Sequence, residues 1–168
     1  QKERRYKCTA CGKTFSETEG TPFYRAHKDH AVLVTVVTLL AYGCPVPAIV
    51  AAFGWDARTV YAAQRRAGAH CQDVHEALVE QPRDLEHVQA DEIRGKGQGL
   101  ILWLAMAIQV STRLWLGGVV SEHRDTRLLV ALLHRVKRSA LCRPVLFCVD
   151  GLRAYAGAIQ RVFREPLY

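Results

Sequence analysis

The stretch that most restricts the fold is Val145-Leu146-Phe147-Cys148-Val149-Asp150-Gly151, an apolar run between Pro144 and a carboxylate, closed by glycine. A run with no polar face, too short for a buried helix, predicts a strand covered on both faces, an inner strand paired in parallel. In open α/β sheets polar groups converge at the carboxyl ends of such strands, which is where Asp150 falls. A lone Asp is also a favoured helix cap, and a helix is expected to begin near Arg153. Both roles stand open for Asp150.

A second acid lies on another predicted strand, His87-Val88-Gln89-Ala90-Asp91-Glu92-Ile93-Arg94, followed by the breaker-rich Gly95-Lys96-Gly97-Gln98-Gly99. That glycine stretch lacks phosphate-loop spacing and leads into a strand, so a hairpin turn is expected. Apolar runs follow over Leu100 to Val110 and Leu114 to Val120, split by Ser111-Thr112-Arg113, which predicts three antiparallel strands. From Asp125 to Ala140, Leu128, Leu129, Leu132, Leu133 and Val136 recur at helical spacing, with Arg and Lys on the remaining face. A helix between strands is the usual crossover to a parallel neighbour. If the Asp150 strand lies beside the Asp91 strand and parallel to it, the two acids become neighbours.

Neighbouring carboxylates repel, and a cation between them relieves the repulsion. Mg²⁺ or Mn²⁺ suits oxygen ligands of this kind, and a pair of such ions about 4 Å apart can serve phosphoryl displacement. Alternation along the strand puts Asp91 with Gln89 and Ile93 and turns Glu92 the other way, making Glu92 the weaker ligand candidate. The plain alternative for Asp91 is a solvated strand residue.

At the front, Cys8-Thr9-Ala10-Cys11-Gly12 is a knuckle whose turn aims two thiolates at one Zn²⁺, half of the four ligands zinc takes. His27 and His30 do not stand at finger spacing from it. Cys44, Cys71, Cys142 and Cys148 are scattered in apolar or helical segments and are expected to be buried free thiols. His70, His75 and His87 have no convergent partner at usable spacing and are expected to be ordinary histidines.

From His30 to Tyr42, Leu33, Val36, Val37, Leu40 and Ala41 share a helical face, ended by Gly43-Cys44-Pro45. A second helix is expected over Val46 to Phe53. Gly54-Trp55-Asp56 is then a turn with a left-handed Gly and a capping Asp. The third helix points Val60, Ala63 and Ala67 inward and runs to Glu80, where Gln81-Pro82 breaks it. This is a helix-turn-helix pattern. In it Arg58 and Thr59 are the candidates for base contact, and Arg65 and Arg66 for phosphates. A three-helix cap with a solvated basic face is the alternative.

Charge agrees with a polyanionic partner. The chain carries formal +7, and beyond Glu80 thirteen Lys and Arg face eight Asp and Glu, a net +5. No stretch is long enough to span a membrane, so a cytoplasmic, nucleoid-associated protein with no membrane partner is expected. The chain opens on Gln1, and its single methionine is Met106, which predicts a fragment.

The order Gln89-Ala90-Asp91-Glu92, a strand hairpin, a basic helix and Val149-Asp150-Gly151-Leu152-Arg153-Ala154-Tyr155 resembles bacterial insertion-sequence transposases of the DDE type. The resemblance runs from the cysteine knuckle to Asp150. It implies a ribonuclease-H-like catalytic domain with Asp91 and Asp150 as its first two acidic metal ligands, an N-terminal zinc ribbon, double-stranded DNA as element end and target, and a homo-oligomer when active. The third acid, a glutamate on a later helix, has no counterpart, since only Glu165 follows Asp150 and stands directly before Pro166. The chain is thus expected to stop before the third acid and to be inactive alone. The expected architecture is α+β. A partial zinc-ribbon-like segment covers residues 1–28, a three-helix helix-turn-helix domain 29–82, and a truncated ribonuclease-H-like mixed sheet with helices 83–168. The competing expectation is a DNA-binding regulator or an inactive transposase remnant.

Overall fold

The computed structural model describes residues 4–97 and 99–164. Among them are five helices and two sheets, one of the sheets mixed and four-stranded, so the protein is α+β. The chain divides into two compact units, Gln1–Val74 and His75–Tyr168.

In the first unit β1 (Arg5–Lys7) and β2 (Thr14–Ser16) form an antiparallel hairpin with the cysteine knuckle at its tip. α1 (His30–Ala41) starts where Asp29 Oδ1 accepts from the amides of Ala31 (2.9 Å) and Val32 (3.2 Å). Leu33 and Val36 are buried and Val37 and Leu40 half-buried, whereas Ala41 is exposed in the helix's last turn. α2 (Val46–Phe53) carries Pro47 in its first turn, where no internal amide bond is lost. Gly54 follows at φ 62°, and Asp56 Oδ1 accepts from Arg58 N at 2.8 Å to open α3 (Ala57–Leu78), two residues shorter than its sequence pattern suggests. Leu33, Val36, Ile49, Trp55, Val60 and Ala63 form the core of these helices. Each large apolar side chain so buried contributes about 1.5–3 kcal/mol.

In the second unit Arg83 turns back on the end of α3, donating to Leu78 O (2.7 Å), Val79 O (3.4 Å) and Gln81 O (3.2 Å). The sheet follows as β3 (His87–Gly97), β4 (Leu100–Gln109), β5 (Trp115–Ser121) and, after α4 (Thr126–Ser139), β6 (Leu146–Cys148), in the order β5-β4-β3-β6. The glycines at 95 and 97 do not end β3. They pair with Leu102 and Leu100, so the strands run closer to the turn than the glycine pattern suggests, and residue 98 lies outside the described residues. β3–β4–β5 are antiparallel, and β6 pairs with β3 in parallel, with His87 opposite Leu146 and Gln89 opposite Cys148.

α4 and α5 (Ala154–Phe163) bury one face of the sheet. Val88, Ala90, Ala105, Ala107 and Leu116 meet Leu128, Leu129, Leu132, Leu133 and Val136 of α4 and Tyr155, Ala158 and Val162 of α5. On the other face Ile93 and Val120 are exposed.

The structure corrects three expectations. β6 is not an inner strand: it is three residues long and lies at the edge of the described sheet, with Leu146 and Cys148 exposed and Val145 83% exposed. Only Phe147 of this strand turns to the core, packing on Phe163. The apolar run therefore reflects one buried residue and an uncovered outer face. Asp150 does not cap α5, whose N-cap is Arg153 with no side-chain bond. Finally, of the four scattered cysteines only Cys44 is half-buried. Cys71, Cys142 and Cys148 are exposed, because each falls on an outward helix position, in a loop or on the open edge. Glu165 lies outside the described residues.

Candidate functional site

The middle of β3 and the carboxyl end of β6 define the site. The parallel ladder puts Gln89 opposite Cys148, and two residues further along each chain come Asp91 and Asp150. The helical crossover through α4 returns the chain in the same direction, so Asp150, just past the end of β6, comes level with Asp91 in the middle of β3. Asp91 is exposed on the face opposite the helices, and its Oδ1 accepts from Glu92 N at 2.8 Å. Asp150 Oδ1 accepts from Leu152 N at 3.0 Å, closing the turn before α5.

Glu92 follows Val88 and Ala90 onto the helix side of β3, and its side chain is 0% exposed. A carboxylate there needs partners for both oxygens. Tyr155 Oη, from the first turn of α5, donates to Oε1. Arg124, just past the end of β5, donates Nε to Oε2 at 2.9 Å. The same guanidinium reaches Asp150 Oδ2 through NH2 at 2.9 Å and lies 5.1 Å from the centre of the Trp103 ring. Arg124 thus joins an acid of β3 to the acid after β6.

The electrostatics follow from this packing. Burial, then the hydrogen bond to Glu92 and the charges of Glu92, Asp150 and Asp91, push the Tyr155 phenol well above its ordinary range. The Glu92 hydrogen bond, with Asp150 adding to it, raises the Arg124 guanidinium further still. Among the described residues Asp91 has no ion-pair partner, so three formal negative charges are met by one positive one.

Asp91 and Asp150 suit a hard divalent cation by donor chemistry, since Mg²⁺ is commonly held by one or two carboxylates with the remaining ligands from water and phosphate. Among the described residues no three His, Cys, Asp or Glu side chains come together as a metal site. Neither the comparison with protein-family models nor that with curated proteins finds a match for this chain.

The cysteine knuckle forms a second, separate constellation in the first unit. Cys8 N donates to Lys13 O (2.8 Å), Gly12 N donates to Cys8 O (2.9 Å), and Gly12 takes φ 72° to close the turn. The amides of Cys11 and then Ala10, with the Cys11 side chain, hold the Cys8 thiol below its ordinary range. That arrangement favours the thiolate that zinc binds. His30 packs at a tilt against Phe23, ring centres 4.9 Å apart.

On α3, Arg58 and Arg65 are exposed, while Thr59 and Arg66 are half-buried. Tyr61, 48% exposed, shares the face of Arg58 and Arg65 at helical spacing.

Sequence reasoning named Asp91 and Asp150 but not Arg124, Tyr155 or Trp103, and it ranked Glu92 low because alternation turns it away from Asp91. The signal was present. An acid alternating with Val88 and Ala90 must be buried and so must find a cation, and Arg124 stands three residues after the end of β5.

Proposed function

We infer that this protein is a transposase of the DDE type, or a part of one, built on a helix-turn-helix unit and a ribonuclease-H-like sheet. In this reading it binds double-stranded DNA at element ends and cuts and joins phosphodiester strands with Mg²⁺ or Mn²⁺. The parallel β3–β6 ladder, whose register continued by two residues sets Asp150 level with Asp91, is the observation that supports the reading. Asp91 and Asp150 hold the divalent ion, which when bound supplies positive charge to the attacking and leaving oxygens. The chain's own residues bind and orient the DNA. Arg58 and Thr59, at the amino end of α3, reach base edges, and Arg65 and Arg66 take phosphates. Cys8 and Cys11 give half of a zinc site. The active species is a homo-oligomer that pairs two element ends, and the protein works at the bacterial nucleoid.

A second reading, a DNA-binding regulator or an inactive remnant, draws on the Arg124 bridge, which already neutralises Asp150 without a metal. Nicking of a supercoiled plasmid in Mn²⁺ separates the two. The transposase reading expects nicked circles from the protein restored with a helix that carries the third acid, lost from it in Asp91→Asn and in Asp150→Asn. Equal nicking by all three proteins, or none by any of them, favours the regulator.

A further inference from the structure

Arg124 has a more specific part to play at this site, and the argument for it rests on the two-acid reading above. Three features set it apart from an ordinary surface ion pair. Its inner edge is fixed by Glu92, whose carboxylate is fully buried and whose other oxygen is held by Tyr155. Its flat face lies over Trp103. Its NH2, 2.7 Å from Glu92 Oε2, also reaches Asp150 Oδ2 at 2.9 Å, and the Asp150 contact is the accessible one, with the Arg124 and Asp150 side chains 33% and 43% exposed. The guanidinium therefore has a strong anchor and a weak, exchangeable end. A buried, doubly bonded carboxylate holds its partner far more firmly than an exposed one does.

We propose that Arg124 is a resident counter-cation of the site. Its NH2 occupies the Asp150 oxygen that a divalent ion would use, yields that oxygen when the ion arrives, and, still tethered to Glu92 and Trp103, turns to a DNA phosphate. Arg124 is then a positioning residue whose single movement couples ion entry to phosphate binding. The guanidinium suits both states, because its fixed fork of donors matches carboxylate and phosphate alike. The exchange needs no proton transfer: one charge-assisted hydrogen bond to Asp150 is given up, and one to a phosphate oxygen is made. A purely structural arginine would act differently, since its removal would loosen the acids and weaken ion binding.

Mn²⁺ binding to the full chain tests this, with free Mn²⁺ counted by electron paramagnetic resonance in the absence of DNA. Arg124→Gln is expected to bind Mn²⁺ about fivefold more tightly than wild type, the factor an exposed ion pair is worth. Asp91→Asn should abolish binding in both backgrounds. If the Gln variant fails to fold by circular dichroism, Arg124→Lys is used instead. Its ammonium, one bond shorter than the NH2 that touches both carboxylates, stays with the buried Glu92 and draws back from Asp150, so it too should bind Mn²⁺ more tightly than wild type. Ion affinity unchanged or reduced in the folded variant, with wild type still binding through Asp91, overturns the role of Arg124 and leaves the two-acid site standing. No Mn²⁺ binding by wild type or variant overturns the two-acid site, and this proposal with it.

Discussion

A carboxylate with no exposed surface, as in Glu92, survives in a core only while both oxygens are occupied. Tyr155→Phe leaves one of them without its donor, a loss that costs about 1–3 kcal/mol. Urea unfolding should show that drop, and an unchanged midpoint would mean that the hydrogen bond carries no stability. Tyr155 also sets a pH dependence. Its phenol is raised in the folded state above the ordinary 10.0, so its contribution is complete below that pH and is lost as pH climbs past it. Wild type should lose stability above about pH 10 more steeply than Tyr155→Phe, measured by denaturant midpoints at a series of alkaline pH values. Parallel curves for the two proteins would refute the assignment. At the other constellation the lowered Cys8 thiol should react with iodoacetamide at a lower pH than a cysteine in an unstructured peptide does, as followed by mass mapping.

At the scale of elements, the helices and the sheet order were legible because their signals are local. Gly54 and Asp56 mark the turn and the cap that the chain does adopt, and Val60, Ala63 and Ala67 are the buried positions of α3. Gly54, at φ 62°, is the position where a side chain is strained. Gly54→Ala should cost about 1 kcal/mol, read as a lower melting temperature of the helical unit. The β6 stretch was misread because an unbroken apolar run looks the same whether both faces are covered or one is left open. Chain composition cannot tell Leu146, half exposed at the edge, from Phe147 beside it. An open apolar edge is a template for association. Leu146→Lys should therefore reduce concentration-dependent light scattering while leaving the melting temperature unchanged. Equal scattering by both proteins would show that this edge is not the sticky one. The Arg124 bridge was hidden for a different reason: it joins residues 32 and 26 positions away in the chain, and no local period carries such a pairing.

For the molecule as a whole, two cores with no residue in common and a formal charge of +7 frame what can be measured. Ile49→Ala removes a fully buried side chain from one core and Leu132→Ala from the other, each at about 2–5 kcal/mol. Calorimetry should show each substitution displacing a different part of the unfolding profile, and a single transition shifted equally by both would argue for one cooperative body. The central claim is that acids 59 residues apart in the chain come level at one site and jointly hold a divalent ion. Mn²⁺ added in small amounts to the isotope-labelled protein tests it most directly, through paramagnetic broadening of backbone amide signals. The account expects early, simultaneous loss of the signals around Asp91 and Asp150, ahead of those elsewhere in the second unit. Broadening at only one of the two acids, or uniform broadening along the chain, would contradict it.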